Sequence, residues 1–178
     1  MTQEFFPDRL DVKAFALAEG RLAGRDSLQK YERLVQEAHG SNPDSEVNWV
    51  ASAEVHTALG GGDQIWLHLQ VQAILPMECQ RCLTPVDIAL DVERDFRFVA
   101  DEATAEALDD ESEEDLLALS REFDLRALIE DELLMELPVV PRHETCPAVV
   151  PLASTADDFD AATAEKPHPF AALAALRK

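Results

Sequence analysis

The residues with the most chemistry in this chain are three cysteines and one distant histidine. Cys79-Gln80-Arg81-Cys82, followed by Leu83-Thr84-Pro85, places two thiols at a spacing that lets both face one ion from a turn. Downstream, His143-Glu144-Thr145-Cys146 offers an imidazole and a third sulfur. Cys79, Cys82, His143 and Cys146 together make up the nitrogen and sulfur set that zinc takes in tetrahedral sites. The same residues also read as three reduced thiols in a turn and a loop, and both readings stay open. A thioredoxin-like redox role is disfavoured because no βαβ pattern surrounds the pair.

A second group lies on the segment 125–137, which reads as a helix capped by Asp124 and ended by Pro138 and Pro141. At 100° per residue, Leu125, Leu128, Ile129, Leu133, Met135 and Leu137 share a broad face, and Glu132 and Glu136 fall inside it. A buried carboxylate needs a partner. Arg81, held between two cysteines, is the expected partner of Glu132, with Glu130 and Asp131 as fallbacks. The third group is Pro169, Phe170 and Leu173, near the C-terminal end, where a proline opens a short apolar-faced helix suited to docking.

The elements that position these groups follow from periodicity. Residues 9–25 are ambiguous between a helical turn around Val12, Phe15 and Ala16 and a short strand at Arg21–Gly24. Residues 27–39 read as a helix capped by Asp26, with Leu28, Tyr31, Leu34, Val35 and Ala38 along one stripe. Alternating runs 47–55, 65–73 and 86–98 then predict strands with one wet face, and Arg94 interrupts the apolar parity of the third. The glycines at 60–62 read as a hairpin turn. Within an acidic stretch at about 100–120, residues 101–119 read as a loop or a weak helix, mostly solvated, and 151–166 read as a linker.

The fold expected is therefore α+β: an antiparallel β-sheet of three or more strands with two packed helices, an acidic loop and a flexible C-terminal tail. The domain reading is 1–150 as a single α+β domain and 151–178 as linker and docking helix.

Charge narrows the function. The 178 residues carry 36 Asp and Glu against 15 Lys and Arg, a formal net charge of -21. Residues 101–160 alone hold 19 acids and only Arg121, Arg126 and Arg142 as bases. Such a surface repels a polyanion and suits a basic protein partner. With aromatics at 6%, stacking platforms for bases are scarce, so direct RNA binding is expected to be weak. No glycine-rich phosphate loop or nucleophile-elbow motif is present, and an enzyme is not expected. The start, Met1–Asp8, lacks a basic segment followed by an apolar one, which points to a cytoplasmic protein without structural disulfides.

Three motifs resemble those of the YceD family of large ribosomal RNA subunit accumulation proteins. They are Leu75-Pro76-Met77-Glu78-Cys79-Gln80-Arg81-Cys82; Asp124-Leu125 with Ile129-Glu130-Asp131-Glu132 and Leu137-Pro138-Val139-Val140-Pro141; and Lys166-Pro167 with Pro169-Phe170-Ala171-Ala172-Leu173. The match runs from about residue 75 to the end, and the first 60 residues match only loosely. The resemblance implies a bacterial cytoplasmic protein needed for normal large-subunit ribosomal RNA levels, with no enzymatic activity. Some relatives carry a second Cys-x-x-Cys toward the C-terminal side, and this chain has only His143 and Cys146 there.

The function expected is a non-enzymatic accessory factor for ribosomal RNA accumulation or large-subunit assembly, acting by binding a ribosomal protein or a pre-ribosomal particle. The alternative is a zinc-binding adaptor or chaperone for a basic ribosomal protein. Zinc is the one cofactor considered, and no membrane association is expected.

Overall fold

A computed structural model describes residues 4–39, 45–57 and 62–147. The chain divides into two compact units, Met1–Glu144 and Thr145–Lys178, and of the second only residues 145–147 are described. Pro169, Phe170, Leu173 and the linker at 151–166 lie outside the described residues, as do Gly60 and Gly61 of the expected hairpin turn.

In chain order the elements are α1 (Val12–Leu17), β1 (Arg21–Ser27), α2 (Glu32–Glu37), β2 (Glu46–Thr57), β3 (Asp63–Glu78), β4 (Pro85–Val99), α3 (Glu102–Leu108), β5 (Asp115–Ala118) and α4 (Leu125–Met135). The five strands form one sheet in the order β1-β2-β3-β4-β5. The first four pair antiparallel, with Val47 opposite Ala73, Val71 opposite Val92, and Leu67 opposite Phe96. The alternating sequences dictate this register, because a slip of one residue would turn every apolar side chain to water.

The sheet is mixed, which corrects the antiparallel expectation: β5 runs parallel to β4. A parallel return needs a crossover, and α3 supplies it. Of the loop or weak helix expected in the acidic stretch, the helix is realised as α3, and β5 is a strand that was not expected. Asp101 caps α3 by accepting from Thr104 N at 2.8 Å, and the acids Glu102, Glu106, Asp109 and Asp110 stay in water. Acid density did not prevent structure, because Ala105 of α3 is buried and Leu117 of β5 packs against the core.

The expected helix at 27–39 is split. Asp26 belongs to β1 and is buried; Ser27 instead caps a 3-10 turn at Leu28–Lys30, accepting from Gln29 N at 3.3 Å. The α-helical part starts only at Glu32 and has no side-chain cap of its own. Both ambiguous readings of 9–25 are realised, as α1 followed by β1.

Helices α1, α2 and α4 cover one face of the sheet. Phe15, Tyr31, Leu34, Leu125, Ile129 and Leu133 are wholly buried in one core with Leu67, Leu69, Val71 and Leu75 of β3. At about 1.5–3 kcal/mol for each large apolar side chain buried, this layer supplies most of the driving force for folding. On the covered face, Gly24 of β1 lies opposite Trp49 of β2, and a Cβ at Gly24 would sit 2.5 Å from the indole ring. The glycine thus lets the Trp49 ring cross β1 and donate from Nε1 to Asp26 at 2.8 Å. No described helix is long and apolar enough to cross a membrane.

Candidate metal centre

Strands β3 and β4 are the longest, and they are joined by the six residues Cys79–Thr84. Cys79 N donates to Thr84 O at 3.0 Å, and Leu83 N donates to Cys79 O at 2.8 Å. Leu83 closes the turn in the left-handed region at φ 57°, a conformation that costs a non-glycine residue about 1 kcal/mol or more. This tight knuckle directs both thiols to one side.

The second half arrives after α4. Pro138 ends that helix, and the following segment is stitched to the knuckle through the main chain. Gln80 N donates to Pro141 O at 2.9 Å, and Arg81 Nη2 donates to His143 O at 2.8 Å and Glu144 O at 3.3 Å. The His143 ring is thereby set beside the thiols, with Nδ1 3.4 Å from Cys82 Sγ. One donor atom from each of Cys79, Cys82, His143 and Cys146 lies within 4.8 Å of all the others. Tetrahedral zinc with sulfur at about 2.3 Å requires sulfur–sulfur edges of about 3.8 Å. Small rotations of the half-buried Cys82, His143 and Cys146 side chains close that gap, so the residues fit the ion.

The electrostatics match a ligand set. Burial pushes the Cys79 thiol up, but N–H groups of His143, Arg81 and Cys82 and the His143 ring outweigh it and bring it down to about 5. His143 is raised from its ordinary value, first by hydrogen bonding to the Cys79 sulfur. A thiolate beside an imidazolium is the state that exchanges protons for a cation.

The family model described as "Large ribosomal RNA subunit accumulation protein YceD" matches residues 67–177. A curated protein of the same description from Haemophilus influenzae is 32% identical over 175 residues, covering 95% of each chain. This chain belongs to the YceD family. No solved structure matches it.

The acids of the motif Ile129-Glu130-Asp131-Glu132 turn out to have three different tasks. Glu130 Oε1 accepts from Arg33 N at 2.8 Å and Leu34 N at 3.2 Å, supplying from α4 the cap that α2 lacks. Asp131 takes Arg33 Nη1 at 2.6 Å. Glu132 is 4% exposed, and its cation is Arg94 at 3.5 Å, not Arg81. Arg81 is turned to the carbonyls of 143 and 144 instead. The signal for the right pair was in the sequence: Arg94 is the only break in the apolar parity of β4, and Glu132 is a break in the apolar stripe of α4. Burial raises the Glu132 carboxyl, Arg94 lowers it, and Asp115 and Asp131 raise it further, leaving it above its ordinary value. The other two residues expected on that buried face are not there, since Glu136 is exposed and Met135 is 65% exposed. Met135 is the last residue of α4 and Glu136 is its C-cap.

Sequence reasoning missed a second buried acid. Asp26 accepts from Lys30 Nζ at 2.6 Å, Trp49 Nε1 at 2.8 Å and Tyr31 Oη at 3.2 Å, with Arg126 Nε 3.7 Å away. Burial raises this carboxyl, yet Lys30, Trp49 and Tyr31 together hold it below its ordinary value, and burial and Asp26 push the Tyr31 phenol up.

Proposed function

We propose that this protein is a non-enzymatic accessory factor for large-subunit ribosomal RNA accumulation, acting in the cytoplasm by binding a protein of the assembling particle. The observation that carries this reading is the full-length similarity to a relative described by that role. The acidic balance supports a protein contact over direct grip on RNA, since a net charge of -21 repels phosphates. Zinc held by Cys79, Cys82, His143 and Cys146 would serve as a structural cross-link, fixing the segment after α4 to the β3–β4 turn. All four positions are then filled by protein, which leaves none open for a substrate.

In the source cell, deleting the gene is expected to lower the ratio of large- to small-subunit ribosomal RNA, and a tagged copy is expected to co-sediment with precursor particles. An unchanged ratio together with no co-sedimentation overturns the reading. For the metal, elemental analysis of the purified chain is expected to give one zinc per chain, lost in Cys82→Ser. Protein isolated without metal and fully stable in a chelator rejects the cross-link.

A further inference from the structure

The geometry points to the sheet face that no described helix covers as a docking surface for an extended, basic protein segment carrying Lys or Arg at alternate positions and lying along β4. This rests on the reading above that the partner is a protein.

The helices cover one face, and the opposite face carries Asn48, Gln70 and Gln72 in the middle of the sheet and Asp87, Asp91, Glu93 and Asp95 along β4. Two shallow depressions of about 490 and 550 Å³ adjoin there, sharing Asn48, Gln72 and Asp91. Their floor is low because Ala23 and Ala89 carry only small side chains.

Of the three arginines on this face among the described residues, Arg21 lies at its far edge on β1, and the other two are already engaged. Arg25 meets Glu46 at 3.3 Å, and Arg97 meets Glu114 at 2.9 Å. His68 bridges Asp95 at 2.6 Å and Glu54 at 3.1 Å. Among the described residues, Asp87, Asp91 and Glu93 have no cation within ion-pair distance. Two of them are nevertheless held in place, Asp91 accepting from Gln72 at 3.4 Å and Glu93 from Gln70 at 3.2 Å.

Spacing decides the occupant. Alternate residues of a strand recur about every 6.6–6.8 Å. An extended segment has the same period, so cations at its alternate positions meet Asp91 and Glu93 in register and reach Asp87 farther along. The amides of Asn48, Gln70 and Gln72 can pair with the segment's main chain. A nucleic acid would set phosphates against these carboxylates. A two-fold dimer through this face would set the acid rows of two copies against each other.

The test uses the full-length chain and a labelled twelve-residue peptide of alternating Lys and Thr, followed by fluorescence anisotropy at low and at moderate salt. Binding is expected at low salt and weakens as salt rises. The triple variant Asp87→Asn, Asp91→Asn, Glu93→Gln is expected to bind at least tenfold more weakly. The equal-charge control Glu102→Gln, Glu106→Gln, Asp110→Asn is expected to change affinity less than twofold. The inference is overturned by no wild-type binding, by equal losses in both variants, or by tighter binding to a twelve-nucleotide RNA. Dimerisation abolished by the first triple variant also overturns it. The triple variant is then run beside wild type in the particle co-sedimentation. If wild type associates and the variant does so equally, the docking face is wrong and the proposed function stands. If wild type itself fails to associate, the function reading fails, and the peptide titration still decides the face.

Discussion

The two faces of the sheet treat their carboxylates differently. On the covered face, Asp26 and Glu132 are each more than nine-tenths buried, and each has a cation from another element or turn. On the open face, Asp87, Asp91 and Glu93 are exposed, and Asp91 and Glu93 are backed only by neutral amides. The covered acids are spent on the fold, while the open ones keep their charge for something outside it. Within the covered face the pair differ again. Asp26 has three donors and is held below its ordinary pKa, whereas Glu132 has one loose cation and is held above. Burial acts in the same direction on both, and the number of partners sets the sign.

The largest effect is expected at Asp26. Asp26→Ala strands the Trp49 and Tyr31 donors and leaves Arg126 facing a void. Removing one side of a buried charged network costs about 3–5 kcal/mol, and the half-exposed Lys30 can rehydrate, so about 3 kcal/mol is expected in urea unfolding. Because the folded carboxyl lies below its unfolded value near 3.9, its contribution is complete above about pH 4 and is lost as pH falls through the folded value. Asp26→Asn should flatten that acid limb. A loss under about 1 kcal/mol would place Asp26 with the dispensable acids of the other face.

Next comes the Arg94–Glu132 pair. Arg94→Ala leaves a nearly buried carboxylate alone and should cost about 2 kcal/mol at neutral pH, below the full buried-pair penalty because Arg94 is half exposed. Glu132→Gln should cost less than about 1 kcal/mol, since it removes the charge that burial disfavours. The folded Glu132 binds its proton more tightly than the unfolded chain does. Wild type therefore loses stability as pH rises from about 4.3 through the folded value, and Glu132→Gln should lack that loss. Parallel pH profiles for the two proteins would show that the carboxylate is solvated after all.

The covered face was partly legible in the sequence. Alternation in β2, β3 and β4 named the core positions, and the Cys-x-x-Cys knuckle and its distant His143 and Cys146 were visible as residue types. The pairing of Glu132 went unread although both breaks were visible, because the acid and its cation are 38 positions apart and each looked like a local defect in its own pattern. Asp26 was mistaken for a helix cap because Asp-Ser before an apolar stripe fits a cap and a strand end equally well. Only the depth of Trp49 across Gly24 shows which it is. The parallel return of β5 was hidden beneath acid density, since composition reports solvent exposure and says little about backbone pairing.

The smallest expected effect tests the open face most directly. If Asp87, Asp91 and Glu93 are held for a partner, neutralising all three should not destabilise the fold. Carboxylates about 6.6 Å apart in water repel by roughly 0.6 kcal/mol before screening, and by less at physiological salt. Against this, the triple variant loses only two exposed amide contacts, each worth little beside competing water. The net outcome is a gain of a few tenths of a kcal/mol, largest at low ionic strength and vanishing as salt rises. Thermal unfolding of wild type and variant across a salt series measures it, with added salt stabilising wild type more than the variant. A destabilisation above about 1 kcal/mol would mean that the open acids also hold the sheet together, and the difference between the two faces would be lost.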